Sequence, residues 1–422
     1  MDDGRDVERM LTGLLKAGHL ATLEELPTLV NAQAGKAGFG EVLIYLVDMQ
    51  QILLRLLTGR GVDAHAGAEA APGELPVEGS LGGRAYQQVR VLPARASDGS
   101  GPADHWWVPM LDGTERLGVM RFRIAAGSSA GEDAMTERMR HLASLVALIL
   151  SSVRHYSDSY ARLVRTRPMN VAAEMEWNLL PPLTFANDRV TIAAVLEPAY
   201  AIGGDAFDYA LADDTVHLAV FDAMGHDVAA GLAANLAMAS CRNQRRQNTP
   251  LDEISVGIEA TLLAEFGENT RFVTGVLADL DVGTGALTWV NRGHHPPVIV
   301  RNGRWTATLR CPPAHPMGLD LGVPVTLCHE QLEPGDWLLL YTDGMIEARD
   351  GHGGEFGLQR FVDFVIRHIA DGYPVPETLR RLVRTLLDHH VETLRDDATV
   401  LLLQWHGPLD ADRPERHGMA AR

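Results

Sequence analysis

The chain has little cysteine, a shortage of basic side chains and no long apolar run, and each shortage removes a class of function. Three cysteines in 422 residues, Cys241, Cys311 and Cys328, are widely spaced and odd in number. That pattern predicts neither a disulfide framework nor a metal-ligand pair, and it suits a reducing compartment. The 37 basic residues stand against 55 acidic ones, a net charge of −18. Nonspecific binding to nucleic acid or anionic lipid needs the opposite balance. The longest strongly apolar run, LASLVALILSSV at 142–153, is short of the roughly 18–20 residues a membrane-spanning helix requires. The opening MDDGRDVERM is charged where the apolar core of a signal peptide would begin. The expectation is a cytoplasmic protein without a membrane span. There is no Walker loop. GTGALT at 283–288 lacks the final glycine of a dinucleotide fingerprint and reads as a hairpin turn.

What is present is enough apolar material for real cores: 46% hydrophobic and 22% charged residues, in a chain long enough for two domains. Apolar positions recur at helical spacing over 7–29, and EVLIYLVDMQQILLRLL reads as two strands around a turn near 48–50. A Gly-, Ala- and Pro-rich loop (59–79) precedes a short helix at GSLGGRAYQQ. WWVPMLDGTERLGVMRFRI is a hairpin turning at Asp112-Gly113. Residues 133–167 are helical, with Leu142, Leu145, Val146, Ile149 and Leu150 on one face, and helical character runs on to Pro181-Pro182, which must stop it. This order resembles a small α/β sensor domain of the GAF type.

Beyond the prolines, strands are expected at 190–196, 216–222, 272–281, 286–291, 297–301, 337–342 and 398–405, with helices at 228–247, 251–266, 358–369 and 376–393. Hairpins mixed with helix pairs point to antiparallel sheets covered by helices, an α+β fold. The expected organisation is a sensor at 1–132, a helical linker at 133–182 that dimerises and gates the following domain, that domain at 183–406, and a disordered tail at 407–422.

The chemistry is carried by carboxylates at strand ends. VHLAVFD and DWLLLYTDG are near-continuous apolar runs, strands buried on both faces, and they finish in Asp222 and Asp343. RDDATVLLLQW reverses the order: Asp396 and Asp397 come first. In an antiparallel sheet such ends can share one edge. AIGGDAFDYA adds Asp205, with Asp208 close by, after a Gly203-Gly204 pair that permits close backbone approach. Two carboxylates about 4 Å apart repel by roughly 4 kcal/mol at an effective dielectric of 20. Several such pairs rival the roughly 5–15 kcal/mol stability of a domain, so protons or cations must compensate. Without Cys or His neighbours the cluster selects hard, oxygen-loving ions, Mg²⁺ or Mn²⁺ rather than zinc. Taken singly, an Asp-Gly after a strand is usually only a turn.

The segments IGGDAFD, FDAMGHD, TRFVTGVLADLD, WVNRGHHPP, YTDGMIEARDGHGGEFG and DDATVLLL, in this order, resemble the metal-dependent protein phosphatase (PPM) superfamily in its bacterial SpoIIE/RsbU-type branch. The resemblance covers about 190–403. It implies an αββα sandwich in which aspartates hold two Mn²⁺ or Mg²⁺ ions, and a metal-bridging water attacks phosphoserine or phosphothreonine in line. Carried over by position, Asp222 bridges the metals with the Ala223 carbonyl as a further ligand. Asp205 serves one metal, Asp343 and Asp396 the other, and Asp397 stands behind them. Asp222 and Asp343 are the expected catalytic pair. The implied substrate is a phosphorylated anti-sigma-factor antagonist.

Two departures matter. Ala223 and Asp227 stand where the family has, usually or often, glycine, and Asp227 adds negative charge near the site. Met224 occupies the place of a histidine that serves the eukaryotic branch as general acid, with His226 two residues further on. Ala223 and Asp227 are the best support for the rival reading, a catalytically inactive PPM fold that only binds a partner, and retention of Asp205, Asp222, Asp343 and Asp396 opposes it. His294-His295 is expected to be a structural loop rather than a metal ligand, and Trp106 and Trp107 to be core and rim.

Overall fold

The computed structural model describes residues 3–59, 71–95, 103, 105–125, 131–201, 203–267, 271–301, 303–348, 355–389 and 396–408. Most of the expected tail, and most of the expected loop at 59–79, therefore fall outside the described residues. The chain divides into two compact units between Arg167 and Pro168.

The first unit comprises α1 (Asp3–Gly18), α2 (Leu26–Ala34), β1 (Phe39–Val47), β2 (Leu53–Leu56), β3 (Glu74–Pro76), α3 (Leu81–Gln88), β4 (Leu92–Ala94), β5 (His105–Asp112), β6 (Glu115–Ile124), α4 (Glu132–Val153) and α5 (Asp158–Val164). Its strands form one antiparallel sheet in the order β3-β2-β1-β6-β5-β4. Alternation along β1 sorts the faces: Val42, Ile44 and Leu46 meet α1, α2 and α4, while Leu43 and Tyr45 meet α3. Trp106 and Trp107 divide between these two cores and are both buried.

The expected continuous linker is broken. α4 ends at Val153, Ser157 caps α5 by accepting the Tyr160 amide, and a third helix follows in the second unit. The apolar stripe of α4, including Leu142, Val146 and Leu150, is buried in the first unit's own core. That stripe is covered within the first unit. An amphipathic face does not say what covers it.

The second unit holds α6 (Val171–Leu179), β7 (Thr184–Ala186), β8 (Val190–Glu197), β9 (Asp205–Ala212), β10 (Thr215–Ala223), α7 (Val228–Arg245), α8 (Leu251–Phe266), β11 (Val273–Asp281) and β12 (Ala286–Arg292). It continues with β13 (Val298–Arg301), β14 (Arg304–Thr308), β15 (Cys328–Gln331), β16 (Trp337–Tyr341), α9 (Asp343–Glu347), α10 (Gly357–Ala370), α11 (Val375–His389) and β17 (Ala398–Trp405). Two antiparallel sheets result, β15-β12-β11-β10-β9 and β14-β13-β16-β17-β8-β7.

Strands buried on both faces supply every layer. Val216, Leu218 and Val220 of β10 join Leu338 and Leu340 of β16 and Leu401 and Leu403 of β17 in a core between the sheets. Ala219 and Phe221 face the other way, toward α7 and α8. Leu339, Tyr341, Val400 and Leu402 face α9, α10 and α11. The unit is an α+β sandwich, helices outside and two sheets within.

Cys311 and Cys328 are disulfide-bonded, which corrects the expectation of three unpaired cysteines; only Cys241 is free. Pairing of β15 with β12 brings Cys328 to the sheet edge, where it meets the segment after β14. The cysteine argument for a reducing compartment falls with it. Among the described residues no helix is long and apolar enough to cross a membrane.

Candidate metal centre

Each carboxylate reaches the site on the end of an element. Asp205 opens β9, Asp222 is the last residue but one of β10, and the two are register partners across the antiparallel pair. Asp222 extends the inward row of Val216, Leu218 and Val220, and Asp205 that of Phe207 and Tyr209, so both face the gap between the sheets. From the second sheet, β16 stops at Tyr341 and Asp343 begins α9, while Asp396 and Asp397 lead into β17. Tyr341 pairs with Val400. Four element ends therefore meet at one rim.

The carboxylates raise one another. Burial first, then the charges of Asp343, Asp396 and Asp397, push Asp222 up to about 7. Asp205 is driven well above the usual carboxylate range by burial and then by Asp222 and Asp397. Asp396 is raised by burial and by Asp343. The charges that act most strongly on Asp222 are all negative.

Two clamps hold the rim. Asp397, itself raised mainly by burial, accepts the amides of Gly203 and Gly204 at 2.7 and 2.6 Å and that of Asp205 at 3.3 Å. Thr342 donates to Asp205 Oδ2 at 2.6 Å and accepts the Thr399 amide at 2.9 Å. Gly204 is required here because a Cβ would stand 2.6 Å from the Ala223 carbonyl oxygen. Gly344 is required for a different reason: a Cβ would collide with the Asp397 carbonyl. The Asp343-Gly344 step is thus no turn but the start of α9, packed against the opposite clamp.

Other expected residues separate from the site. Asp208 is bound by Arg242 at 2.6 Å and Arg245 at 2.9 Å. Asp227 caps α7 through the Ala230 amide at 2.8 Å and takes Arg271 at 3.2 Å, so its charge serves a helix end. His226 is exposed and close enough for its charge to act on Asp396. His294 is buried between Thr274 and the Tyr341 carbonyl, and His295 stacks on Tyr341. Thr274 carried no sequence signal, since a threonine in a strand is ordinary.

The donor set is carboxylate and carbonyl oxygen, which suits a hard divalent cation. Among the described residues no three His, Cys, Asp or Glu side chains close on one point at ligand distance. Mutual charge, rather than closed coordination, is what marks the rim.

An α+β sandwich with an acidic rim between its sheets is the class these observations define. Residues 212–406 match the family model described as Stage II sporulation protein E (SpoIIE), so this part of the chain is similar to SpoIIE-type domains. Protein IcfG of Synechocystis is 22% identical over 256 residues, 54% of this chain and 40% of that protein. Phosphoserine phosphatase RsbU of Bacillus subtilis is 20% identical over 242 residues, 56% of this chain and 69% of RsbU. A crystal structure of RsbU and RsbW domains from Mycobacterium tuberculosis is 25% identical, covering 55% of this chain and 64% of that one at a TM-score of 0.45. The similarity to IcfG spans less than half of that protein's length.

Proposed function

We propose that the second unit is a metal-dependent phosphatase that removes phosphate from serine or threonine of a regulatory protein. One observation carries the reading: carboxylates from two sheets meet at one rim, where burial and then neighbouring carboxylate charge hold Asp205, Asp222 and Asp396 above the ordinary carboxylate range. In this reading Asp205, Asp222, Asp343 and Asp396, together with the Ala223 carbonyl, would hold two divalent ions. Two Mn²⁺ or Mg²⁺ ions bound there supply Lewis acidity that activates water for attack on phosphorus. The chain's own part is placement. Asp397 and Thr342 hold Asp205 and the glycine pair so that the carboxylates stay aimed at the rim, and the exposed side of Asp396 leaves the phosphoester an open approach.

The substrate we infer is a phosphorylated anti-sigma-factor antagonist, on the family resemblance, in a cytoplasmic setting. The first unit is read as a GAF-like sensor. Its strand order and a cavity of about 210 Å³ lined by Trp106, Ile124, Met135 and Met139 together with Arg95 and Glu132 support a ligand-responsive domain. Dimerisation would use outward positions such as Leu148, 57% exposed, because the inner stripe of α4 is covered.

The test is hydrolysis of p-nitrophenyl phosphate and of a phosphoserine protein by the full chain, with Mn²⁺ or with chelator, beside Asp222→Asn and Asp343→Asn. Turnover that needs Mn²⁺ and is lost in both variants supports the enzyme. Partner binding without turnover under any metal would replace it with the inactive scaffold.

A further inference from the structure

The two sheets are clamped on the Asp205 side by Asp397 and Thr342, and a second connection runs behind Asp222. Thr274 on β11 is the register partner of Asp222. Its hydroxyl is 2.7 Å from His294 Nδ1, and His294 Nε2 is 3.0 Å from the carbonyl oxygen of Tyr341, the last residue of β16 and two before Asp343. The ring therefore spans from the strand beside Asp222 to the strand that delivers Asp343.

The hydrogen bonds define the ring's state. A carbonyl oxygen only accepts, so Nε2 carries the proton and Nδ1 accepts from the Thr274 hydroxyl. Burial and the neighbouring His295 hold the ring pKa down at about 4, which keeps it neutral. The backbone around it is fixed as well. Asn291 accepts the His294 amide at 2.8 Å and donates to the His294 carbonyl at 2.9 Å. His294 is 8% exposed, so water does not compete for these contacts.

We propose that His294 is a positioning residue: a strut that, through Thr274 and the Tyr341 carbonyl, sets the spacing between Asp222 and Asp343. A centre that takes ligands from two sheets needs that spacing held, because partners behind ligands orient them and commonly govern metal affinity about 10–100-fold. The inference rests on the metal-centre reading above.

Calorimetric titration of the full chain with Mn²⁺ tests it, using Thr274→Val, Thr274→Ser, His294→Phe and the double variant Thr274→Val/His294→Phe, with melting temperatures measured alongside. Thr274→Val and His294→Phe should each weaken Mn²⁺ binding about 10–100-fold. The double variant should bind no more weakly than either single one, because both cut the same strut. Thr274→Ser keeps the hydroxyl and should bind as the parent does. A purely structural role would lower the melting temperature and leave Mn²⁺ affinity of the folded protein unchanged, and that result overturns the proposal. So does multiplicative loss in the double variant, or Thr274→Ser as weak as Thr274→Val. Should His294→Phe fail to fold, the Val and Ser variants of Thr274 decide alone. A parent chain that binds no Mn²⁺ sinks both this inference and the reading it rests on. A parent that binds Mn²⁺ with variants that match it sinks only the strut.

Discussion

Glu176 on α6 is fully buried, and neither of its carboxyl oxygens has a hydrogen-bond partner among the described residues. Burial first, and then the charge of Asp397, hold its pKa well above the usual glutamate value of 4.5, with Arg242 opposing only in part. A group whose folded-state pKa is raised binds its proton more tightly in the native state. Its contribution is complete below the unfolded-state value and is lost as pH climbs from there toward the folded-state value. Inside that window one proton is worth about 1.4 kcal/mol per pH unit, a factor of ten. Glu176→Gln removes the titration at nearly constant volume. Hydrogen exchange of the α6 amides reads the difference. After correction for intrinsic rates, protection in the parent should fall about tenfold per pH unit relative to the variant once pH exceeds about 4.5, with the two curves together below it. Parallel curves from pH 4 to 8 would refute the reasoning, since they would mean the carboxyl finds water or a cation in the folded state. The consequence reaches the rim. Trp177 Nε1 donates to the Ala199 carbonyl at 2.7 Å and the Asn170 amide to that of Tyr200 at 2.9 Å. Those residues lead to Gly203, Gly204 and Asp205, so a loosened α6 loosens the segment that brings Asp205 in.

Asp208 and Asp205 should part company on substitution. Asp208→Asn breaks a buried pairing with Arg242 and Arg245 and should cost about 3–5 kcal/mol by denaturant titration, while Mn²⁺ affinity of the folded protein stays at the parent level. Asp205→Asn should do the reverse, losing Mn²⁺ affinity in calorimetry. For the cysteines, peptide mapping of the unreduced chain should recover the peptides of Cys311 and Cys328 joined, and separate only after reduction. Cys241, buried and with its thiol pushed up to about 12 mainly by burial, should resist alkylation until the chain is unfolded.

Several elements of the second unit could be read from one dimension because their cause is local. A strand covered on both faces must be largely apolar. β10, β16 and β17 are, and the charges at their ends interrupt that pattern. The prolines at 181 and 182 end α6 for an equally local reason. β9 was not legible as a strand: its carboxylates and the glycine pair before it masked the alternation that Phe207 and Tyr209 reveal once the partner strand is known.

The sequence by itself determined which segments are buried strands and which acidic residues stand at their ends. Only the tertiary structure decided what those ends meet. Asp205 and Asp208 lie three residues apart, and opposite faces of one strand send them to the rim and to α7 respectively. The glycine after Asp343 looks like a turn until Asp397, more than fifty residues on, is seen to press against it. The pairing of Cys311 with Cys328 went unread for the same reason. Composition and periodicity record that a face must be covered or a side chain can bond, but the partner comes from a distant part of the chain, and folding alone brings it near.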